Sequence, residues 1–461
     1  MSNKYQAYAE YKDSGVEWLG EVPVQWNVCA IKYIVSIPIT DGPHETPNFF
    51  DSGVPFISAE AISTGRIDFE KIRAHISEED NEKYSKKYCP KKYDIYMVKS
   101  GATTGITAIV ETDIKFNIWS PLAVIRCSEY FSPYFVLNFL RSLNFKEAIE
   151  LNWSFGTQQN IGMGVIENLH IAKPSINEQQ KIANFLGHET SKIDTLIEKQ
   201  QQLIQLLKEK RQAVISHAVT KGLNPNVPMR DSGVEWLGEV PEHWDVKPLK
   251  CVCDLIDGDR SSVYPNENDL VDDGIPFVSS KNIVNYKLTK KNLNYITREK
   301  FGKLSRGKLI AGDLVITVRG TIGHVGIFDP EIIGCETGFI NAQMMIIRPI
   351  NGLTDYLQLI SESSLWQSQL NVAAYGSTIK QLSNEVLGNI CIAIPSFDEL
   401  LNFVQTLRLR CEKIEHLIFR AQTAIELMQE RRTALISAAV TGKIDLRNWQ
   451  APNKETREAS E

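Results

Sequence analysis

Two glycine-containing loops combine cations with hydroxyl groups. The first runs from Lys99 to Gly105 with the sequence KSGATTG, and the second runs from Arg319 to Gly323 with the sequence RGTIG. Glycine lets the backbone approach a phosphate, hydroxyls hydrogen-bond phosphates and bases, and arginine can bind guanine with two hydrogen bonds. One such loop alone would indicate a hairpin turn, but here a cation precedes the glycine twice. The pattern favours DNA contact by Lys99, Ser100, Gly101, Thr103, Thr104, Arg319, Gly320 and Thr321.

A second pair of polar loops is rich in amides and hydroxyls, and each loop lies between apolar runs. Amide side chains suit adenine or phosphate. A loop that is merely solvated fits this composition equally well, so both interpretations stay open. The candidate contact residues are Gln158, Gln159, Asn160, Ser377, Thr378, Lys380 and Gln381.

A third pair of loops occupies matching places in the two halves of the chain but differs in chemistry. Residues 43–46 read PHET, and residues 259–262 read DRSS. Different side chains on a shared scaffold are expected of loops that determine specificity. Alone, His44 would be interpreted as a surface histidine. The candidates are His44, Thr46, Asp259, Arg260 and Ser261.

The charge balance is unusual for a DNA-binding protein. The formal net charge is −6, whereas phosphate neutralisation requires lysine and arginine. A run of charges is usually a solvated face, but basic runs recur at matching positions of both halves. The sequence therefore predicts local basic patches on an acidic chain. The candidates are Lys83, Lys86, Lys87, Lys303 and Arg306.

Catalytic motifs are missing from the sequence. It contains neither the Asn-Pro-Pro-Tyr or Asn-Pro-Pro-Phe tetrapeptide of amino-methyltransferases nor a GxGxxG loop for S-adenosylmethionine. The segment from Gly302 to Leu309 has P-loop spacing but ends in leucine, which offers no hydroxyl to magnesium. The eight cysteines are too scattered for a zinc site. We expect no catalytic residue, metal or cofactor in this chain.

The apolar segments are short. No run of eighteen or more apolar residues could span a membrane, and the N-terminus lacks the apolar stretch of a signal peptide. Scattered cysteines are typical of reduced thiols. We therefore expect a cytoplasmic protein without a membrane partner.

An internal repeat determines how these loops are positioned. The segment DSGVEWLGEVP at residues 13–23 recurs unchanged at residues 231–241, and Trp26 recurs as Trp244. Further matches follow in order along both halves, ending with residues 209–220 and 430–441. Two copies are too few for a solenoid, but they suit a molecule with pseudo-twofold symmetry. The four tryptophans of the openings are predicted to pack against helices or a partner rather than to stack on bases.

Each half ends in a long heptad pattern. Apolar residues spaced by seven continue over four heptads, with a second apolar position between them, which is the coiled-coil signature. An amphipathic helix on a globular core would explain one such segment, but two aligned segments favour mutual antiparallel pairing, with Gln200 close to Ala421. The seam residues are Leu186, Ile193, Gln200, Leu207, Val214, Leu407, Ile414, Ala421, Met428 and Leu435.

The predicted fold class is mixed α/β (α+β), with two similar globular heads separated by two long helices. We define head 1 as residues 25–175 and head 2 as residues 243–396. The remaining predicted segments are the N-terminal opening (1–24), the central helix (176–222), the linker with the repeated opening (223–242), the C-terminal helix (397–442) and the tail (443–461).

These features resemble one known family. Two variable heads, the DSGVEWLGEVP openings and the long helices, of which the second ends in ERRTALISAAVTGK, are similar to the specificity subunit of type I restriction–modification systems. The likeness covers roughly residues 13–445 and is weaker in the heads.

The resemblance implies a function and partners. Each head would be a target-recognition domain that reads one half of a bipartite sequence in double-stranded DNA, and the helices would set the spacer. Two methylation subunits would dock on the helices and bind S-adenosylmethionine. Two restriction subunits with ATP and magnesium would join them.

Two other function classes stay open at the level of sequence. An enzyme that fuses recognition with methylation or cleavage needs a catalytic motif, and a coiled-coil scaffold needs no polar loops at matching positions. Because the loops of the two heads differ, the DNA-binding interpretation predicts unlike half-sites and a non-palindromic target.

Overall fold

The computed structural model describes residues 5–152, 154–155, 159–350, 352–373 and 381–451. The chain forms two compact units. Unit 1 contains Met1–Gln200 and Thr423–Glu461, and unit 2 contains Gln201–Gln422. Each unit therefore includes one head and a part of both long helices.

Unit 1 is a mixture of short strands and helices around the first head. Its strands are β1 (Tyr11–Asp13), β2 (Glu21–Pro23), β3 (Asn27–Ala30), β4 (Thr40–Asp41), β5 (Val54–Ile57), β6 (Ala74–Ile76), β7 (Ile95–Val98), β8 (Thr107–Ile109), β9 (Asn117–Ile118), β10 (Leu122–Ile125), β11 (Ser154–Phe155), β12 (Gln159–Asn160) and β13 (His170–Lys173). Its shorter helices are α1 (Glu78–Ser85), α2 (Pro133–Leu140), α3 (Leu143–Asn152) and α4 (Met163–Asn168). The long helix α5 (Ile176–Lys221) begins in this unit.

Unit 2 has the same character. Its strands are β14 (Met229–Asp231), β15 (Glu239–Pro241), β16 (Asp245–Pro248), β17 (Cys253–Asp257), β18 (Leu270–Val271), β19 (Ile275–Val278), β20 (Ile283–Val284), β21 (Lys287–Leu288), β22 (Asn294–Ile296), β23 (Lys308–Leu309), β24 (Leu314–Thr317), β25 (Val325–Ile327), β26 (Gly338–Ile340), β27 (Met344–Pro349) and β28 (Cys391–Ile394). Its shorter helices are α6 (Arg298–Lys303), α7 (Pro330–Ile333), α8 (Thr354–Ser361), α9 (Ser364–Ala373) and α10 (Asn384–Gly388). The second long helix, α11 (Phe397–Val440), begins here.

The central strands of both heads are buried on both faces. Strand β7 lies between β10 and β8 in a four-stranded sheet with the order β4-β10-β7-β8, and all four of its residues are buried. Its counterpart β24 lies between β27 and β25 in a six-stranded sheet, and its four residues are also buried. Burial on both faces explains why these strands are continuous apolar runs rather than alternating ones.

The repeat seen in the sequence is also a repeat of strand pairing. In head 1, β5 pairs in parallel with β9, with Ile57 opposite Ile118. In head 2, β19 pairs in parallel with β26, with Val278 opposite Ile340. Since parallel pairs need a long connection between the strands, two matching pairs indicate that both heads share this connection.

The heptad positions form a protected stripe on each long helix. Leu186, Ile193, Leu407 and Leu435 are buried, as are Ile414 and Ala421, while Gln200, Leu207, Val214 and Met428 are half-buried. Within unit 1 the two helices run antiparallel, since Lys181 contacts Arg447 and Asp194 contacts Arg432. Gln200 and Ala421 belong to different units, so their proximity stays a prediction.

The openings of the two copies pack against helix ends. Trp26 is buried near Gly442, which follows α11, and Trp244 is buried near Gly222, which follows α5. Trp244 also meets Phe403 with ring centroids 5.6 Å apart. The predicted packing role of these two tryptophans is confirmed. Among the described residues, no helix is long and apolar enough to cross a membrane.

Candidate nucleic-acid interface

The glycine loop of head 1 begins where β7 ends and is fixed from both sides. The Lys99 amide donates to the carbonyl of Pro121, and the Lys99 carbonyl accepts from the amide of Ile161. The Gly101 amide donates to the Gln159 carbonyl at 3.0 Å. Gly101 has a φ of 100°, a left-handed conformation that favours glycine. The glycine loop (residues 99–105) and the described part of the amide loop (Gln159 and Asn160) are predicted separately from the sequence, and they lie side by side.

Head 2 builds its glycine loop in the same way. The Val318 amide donates to the Gln343 carbonyl, and the Val318 carbonyl accepts from the amide of Leu382. Arg319 bridges to Gln381, as Ser100 bridges to Asn160 in head 1. The backbone thus aligns Ser100 with Arg319 and Lys99 with Val318.

A buried aspartate organises the cations of head 1. The carboxylate of Asp41 is fully buried and contacts Lys87 at 2.6 Å, Lys99 at 2.8 Å and His44 at 3.0 Å. Burial raises the pKa of this carboxyl, but the hydrogen bonds and charges of Lys87 and Lys99 outweigh burial and lower it overall. Asp41 was not among the predicted site residues, although an aspartate two residues before each of the loops 43–46 and 259–262, here called the variable loops, was a usable signal (Asp41 and Asp257).

Helix α1 presents the predicted lysine patch. Ser77 caps its N-terminus by accepting a hydrogen bond from the Asp80 amide. Lys86 is exposed, whereas Lys83 contacts Glu45 at 2.5 Å. With Lys87 bound to Asp41, only part of the positive charge is available for phosphates. Thr46 is exposed on the loop that carries Glu45, so the first variable loop and α1 form one surface.

The variable loop of head 2 is held by its own acid. Asp259 is buried and accepts hydrogen bonds from the amides of Ser261 and Ser305 and from the Ser305 hydroxyl. The hydrogen bonds that Asp259 accepts from Ser261 lower its pKa, and those from Ser305 do the same. Together they outweigh desolvation, which raises the pKa. Its carboxylate is thus committed to shaping the loop, and direct contact of Asp259 with DNA stays a prediction.

The other candidates of head 2 lie at the surface. Arg260 and Ser261 are exposed, as are Gly320 and Thr321. Lys303 forms an exposed pair with Glu299 at 2.7 Å on α6, and Arg306 is also exposed. Thr297 caps α6 as Ser77 caps α1, so both basic patches begin with an equivalent capped helix.

Glycines place the variable loops against the same strands in both heads. An added Cβ at Gly42 would lie 2.2 Å from the Ile118 carbonyl oxygen, and one at Gly258 would lie 3.0 Å from the Asn341 carbonyl oxygen. Ile118 ends β9, and Asn341 follows the matching strand β26. The prediction that these loops share a place on a common scaffold is confirmed.

Arg319 differs from the other cations in its environment. Within the described part of the chain, its Nε is buried without a hydrogen-bond partner and its guanidinium group forms no ion pair. An unpaired buried donor is costly, and a base edge could supply the missing acceptor. Gln158, Ser377, Thr378 and Lys380 lie outside the described residues, while Gln159, Thr103 and Thr104 line the glycine-loop region with intermediate exposure.

Each head therefore carries a variable loop, a capped basic helix and a glycine loop on one scaffold, with Asn160 and Gln381 beside the glycine loops. Polar loops with cations and amides provide the groups by which proteins contact the phosphates and base edges of double-stranded DNA. Within the described ranges, no cluster of histidine, cysteine and carboxylate side chains could hold a metal ion.

Comparison with known proteins identifies the family. Residues 23–208 and 241–430 match the type I restriction modification DNA specificity domain. The match covers most of the chain and occurs twice, so the chain belongs to this family and is a DNA-recognition subunit.

Similar proteins agree with this assignment. The putative type I restriction enzyme MjaX specificity subunit of Methanocaldococcus jannaschii is 25% identical over 92% of this chain and 95% of its own length. The EcoKI specificity subunit of Escherichia coli is 20% identical over 95% of this chain and 92% of its own.

Solved structures share the fold. A chain from a structural study of complex assembly and conformational transition of the type I R-M system has a TM-score of 0.63 and 16% identity, covering 92% of this chain and 99% of its own. The HsdS subunit from Thermoanaerobacter tengcongensis has a TM-score of 0.50 and 16% identity, covering 92% and 98%. These likenesses confirm the predicted fold class of two heads and two long helices.

Proposed function

We propose that each head reads one half of a bipartite, non-palindromic DNA target. The observation that supports this proposal is that both heads hold their glycine loops with the same backbone hydrogen bonds but place different residues there. Head 1 has Ser100 at the position where head 2 has Arg319. Hydroxyl and guanidinium groups make different contacts with base edges. Unlike side chains on one scaffold therefore favour unlike half-sites.

We further propose that chemistry belongs to partner subunits. Two methylation subunits with S-adenosylmethionine dock on the long helices, and two restriction subunits with ATP and magnesium join for cleavage in the cytoplasm. Support comes from the family membership and from the missing methyltransferase motifs in the sequence. This chain contributes no cofactor of its own.

Mapping methylated adenines in the host genome tests the recognition proposal. We expect one motif with two different half-sites separated by an unspecified spacer. Loss of that methylation on deletion of this chain, and its return on complementation, assigns the motif to this protein. A perfectly palindromic motif would contradict the proposal.

Assays of the purified full-length chain test the division of labour. The chain alone should neither transfer methyl groups nor cut DNA, and with its methylation partner it should shift DNA in a mobility assay. Tight binding of S-adenosylmethionine by the isolated chain would favour the enzyme-fusion alternative. A complex that binds no DNA would favour the scaffold.

A further inference from the structure

One position of the repeat carries opposite charges in the two units. Arg141 follows α2 as its C-cap, and Glu362 follows α8 as its C-cap. The next residues, Ser142 and Ser363, each donate to a carbonyl three residues earlier at 2.6 Å. The surrounding backbone is therefore equivalent, and the difference is confined to the side chain.

In unit 2 the acid at this position neutralises an arginine of the long helix. Arg211 of α5 contacts Glu362 and also Glu415 of α11, the latter at 3.0 Å. Arg211 and Glu362 are largely buried, with side chains 17% and 8% exposed. One guanidinium thus faces two carboxylates.

In unit 1 the same place holds two arginines. Arg432, the repeat equivalent of Arg211, pairs with Asp194 at 2.8 Å. Arg141 donates to the carbonyls of Gly65 at 2.5 Å and Thr107 at 3.0 Å. Within the described residues Arg141 has no carboxylate partner, so its positive charge is not neutralised by an ion pair.

These arginines line a cavity of about 840 Å³ within unit 1. The charged residues on its wall are Arg66, Arg141, Lys146, Arg432, Glu150 and Asp194. Desolvation, together with the charges of Arg432 and Arg66, lowers the pKa of Arg141 to about 10. A neighbouring cavity shares all three arginines but lacks Lys146 and adds Glu111 and Glu198, so the first cavity is the more favourable one for an anion.

The cavity is larger than a phosphate group and contacts the glycine loop. Residues 102–107 form part of its wall, and the hydroxyls of Thr64 and Thr103 add hydrogen-bonding groups. The Nε and Nη2 groups of Arg141 are used by Gly65 and Thr107, which leaves its Nη1 group as the donor for a phosphate oxygen. The volume leaves room for the larger group that carries the phosphate.

We infer that this cavity, with Arg141 and Arg432 on its wall, is a phosphate-binding site present in unit 1 and abolished in unit 2 by Glu362. The phosphate comes either from a DNA backbone or from a small molecule. The inference does not rest on the proposed function, because phosphate binding can be measured without DNA.

Thermal unfolding of the full-length chain tests the site with inorganic phosphate as the probe. Phosphate at about ten times its Kd should raise the Tm of the chain by roughly 1–2 °C over chloride at matched ionic strength. Arg141→Glu, which recreates the pairing of unit 2, should abolish the rise, and Lys12→Glu, an exposed control, should retain it. A rise that survives Arg141→Glu, or none in the wild type, overturns the inference.

One further variant guards against a folding defect. Lys146→Ala removes an exposed wall cation and should weaken phosphate binding about three- to tenfold. If Lys146→Ala leaves the response to phosphate unchanged, the assignment of the site to this cavity is wrong.

DNA binding by the complete complex identifies the source of the phosphate. If the site holds a backbone phosphate, Arg141→Glu should make the slope of log K against log salt shallower by about 1–2, while Lys12→Glu leaves it unchanged. An unchanged slope together with a lost phosphate response assigns the site to a small molecule. If the complex binds no DNA, the proposed function fails while the phosphate response still stands.

Discussion

Lys99 and Arg319 both belong to glycine loops, but their charges are placed in different ways. The Lys99 side chain is 14% exposed and bound to the buried Asp41, so its charge helps to hold the loop. Arg319 lies one position further along and forms no ion pair within the described residues. A cation without an internal partner retains its capacity for an external acceptor. Ser100, the backbone equivalent of Arg319, is therefore the better candidate for base contact in head 1.

The first prediction concerns base reading by Arg319. If it binds a guanine, Arg319→Ala should cost roughly 1–3 kcal/mol of binding free energy and relax specificity in one half-site. Lys303→Ala is the matched control, since an exposed phosphate contact should weaken all sequences equally and flatten the salt dependence. Binding should be measured with the methylation partner against a library of half-site variants. A uniform loss for Arg319→Ala would make it a phosphate contact.

The second prediction concerns the buried Asp41. Asp41→Asn leaves Lys99 largely buried without a counter-charge, so it should reduce the free energy of unfolding by roughly 3 kcal/mol at pH 7. Asp257→Asn is the control from the other copy: its carboxylate is 34% exposed and 3.9 Å from Arg260, and the loss should stay below about 1 kcal/mol. Denaturant titration measures both. Equal losses would show that Asp41 does not anchor the cations.

The same contact sets a pH dependence. Because the pKa of Asp41 is lowered in the folded protein, its contribution is fully present above the unfolded value of about 3.9 and disappears as pH falls through the folded value. The difference in stability between wild type and Asp41→Asn should therefore be constant near neutrality and shrink in acid. A difference that grows in acid would contradict the ion-pair assignment.

At the scale of elements, the long helices are fastened by equivalent ion pairs in each unit. Asp194 of α5 pairs with Arg432 of α11 in unit 1, and Glu415 of α11 pairs with Arg211 of α5 in unit 2. Each arginine comes from the helix whose preceding head belongs to the other unit. The C-terminal part of each long helix therefore completes a unit other than the one in which the helix begins.

The third prediction tests the buried ion pair between Glu362 and Arg211 of α5. Glu362→Gln should reduce the free energy of unfolding of the chain by roughly 3 kcal/mol, because Arg211 loses its buried partner. Glu415→Gln removes a carboxylate that is 49% exposed, so the loss should stay within about 1 kcal/mol. Urea unfolding of both variants provides the comparison. A larger loss for Glu415→Gln would show that the contact of Arg211 with Glu415 of α11 stabilises the chain more than its contact with Glu362.

How far the sequence predicts these elements depends on whether a feature is local. Heptad spacing predicts the seam positions because burial repeats along one helix. It does not predict whether Leu196 or Ile197 occupies the second apolar position between two seam residues. The structure half-buries Ile197 and exposes Leu196. That choice depends on the helix crossing, which sequence spacing does not define.

The loops of the candidate site were predictable because glycine and hydroxyl residues mark them locally in the sequence. The ion pairs were not predictable, because they join residues far apart in the sequence. Glycine and hydroxyl patterns located the loops of both heads. The pairing of Asp41 with Lys99 and the exchange of Arg141 for Glu362 needed the fold, since these residues approach across sheets and helices. A charge difference between repeat copies looks like ordinary variation until its neighbours are known.

At the scale of the whole molecule, the helices act as a spacing element in the proposed function. Helix α5 has 46 residues, or roughly 69 Å at about 1.5 Å per residue. The seam from Leu186 to Val214 covers roughly 42 Å, a little more than one turn of B-DNA at about 34–36 Å. We therefore expect half-sites about one turn apart, centre to centre.

The fourth prediction makes helix length a determinant of specificity. Four residues inserted between Gln205 and Arg211 add roughly 6 Å and about one helical turn, close to two base pairs of spacing. The half-site sequences should stay the same while the unspecified gap grows by one or two base pairs. A two-residue insertion rotates the seam by roughly 200° and should impair the protein, because it breaks the heptad register. Methylation mapping of both variants decides the matter. If the four-residue insertion leaves the gap unchanged or alters the bases read, the helices serve for docking alone.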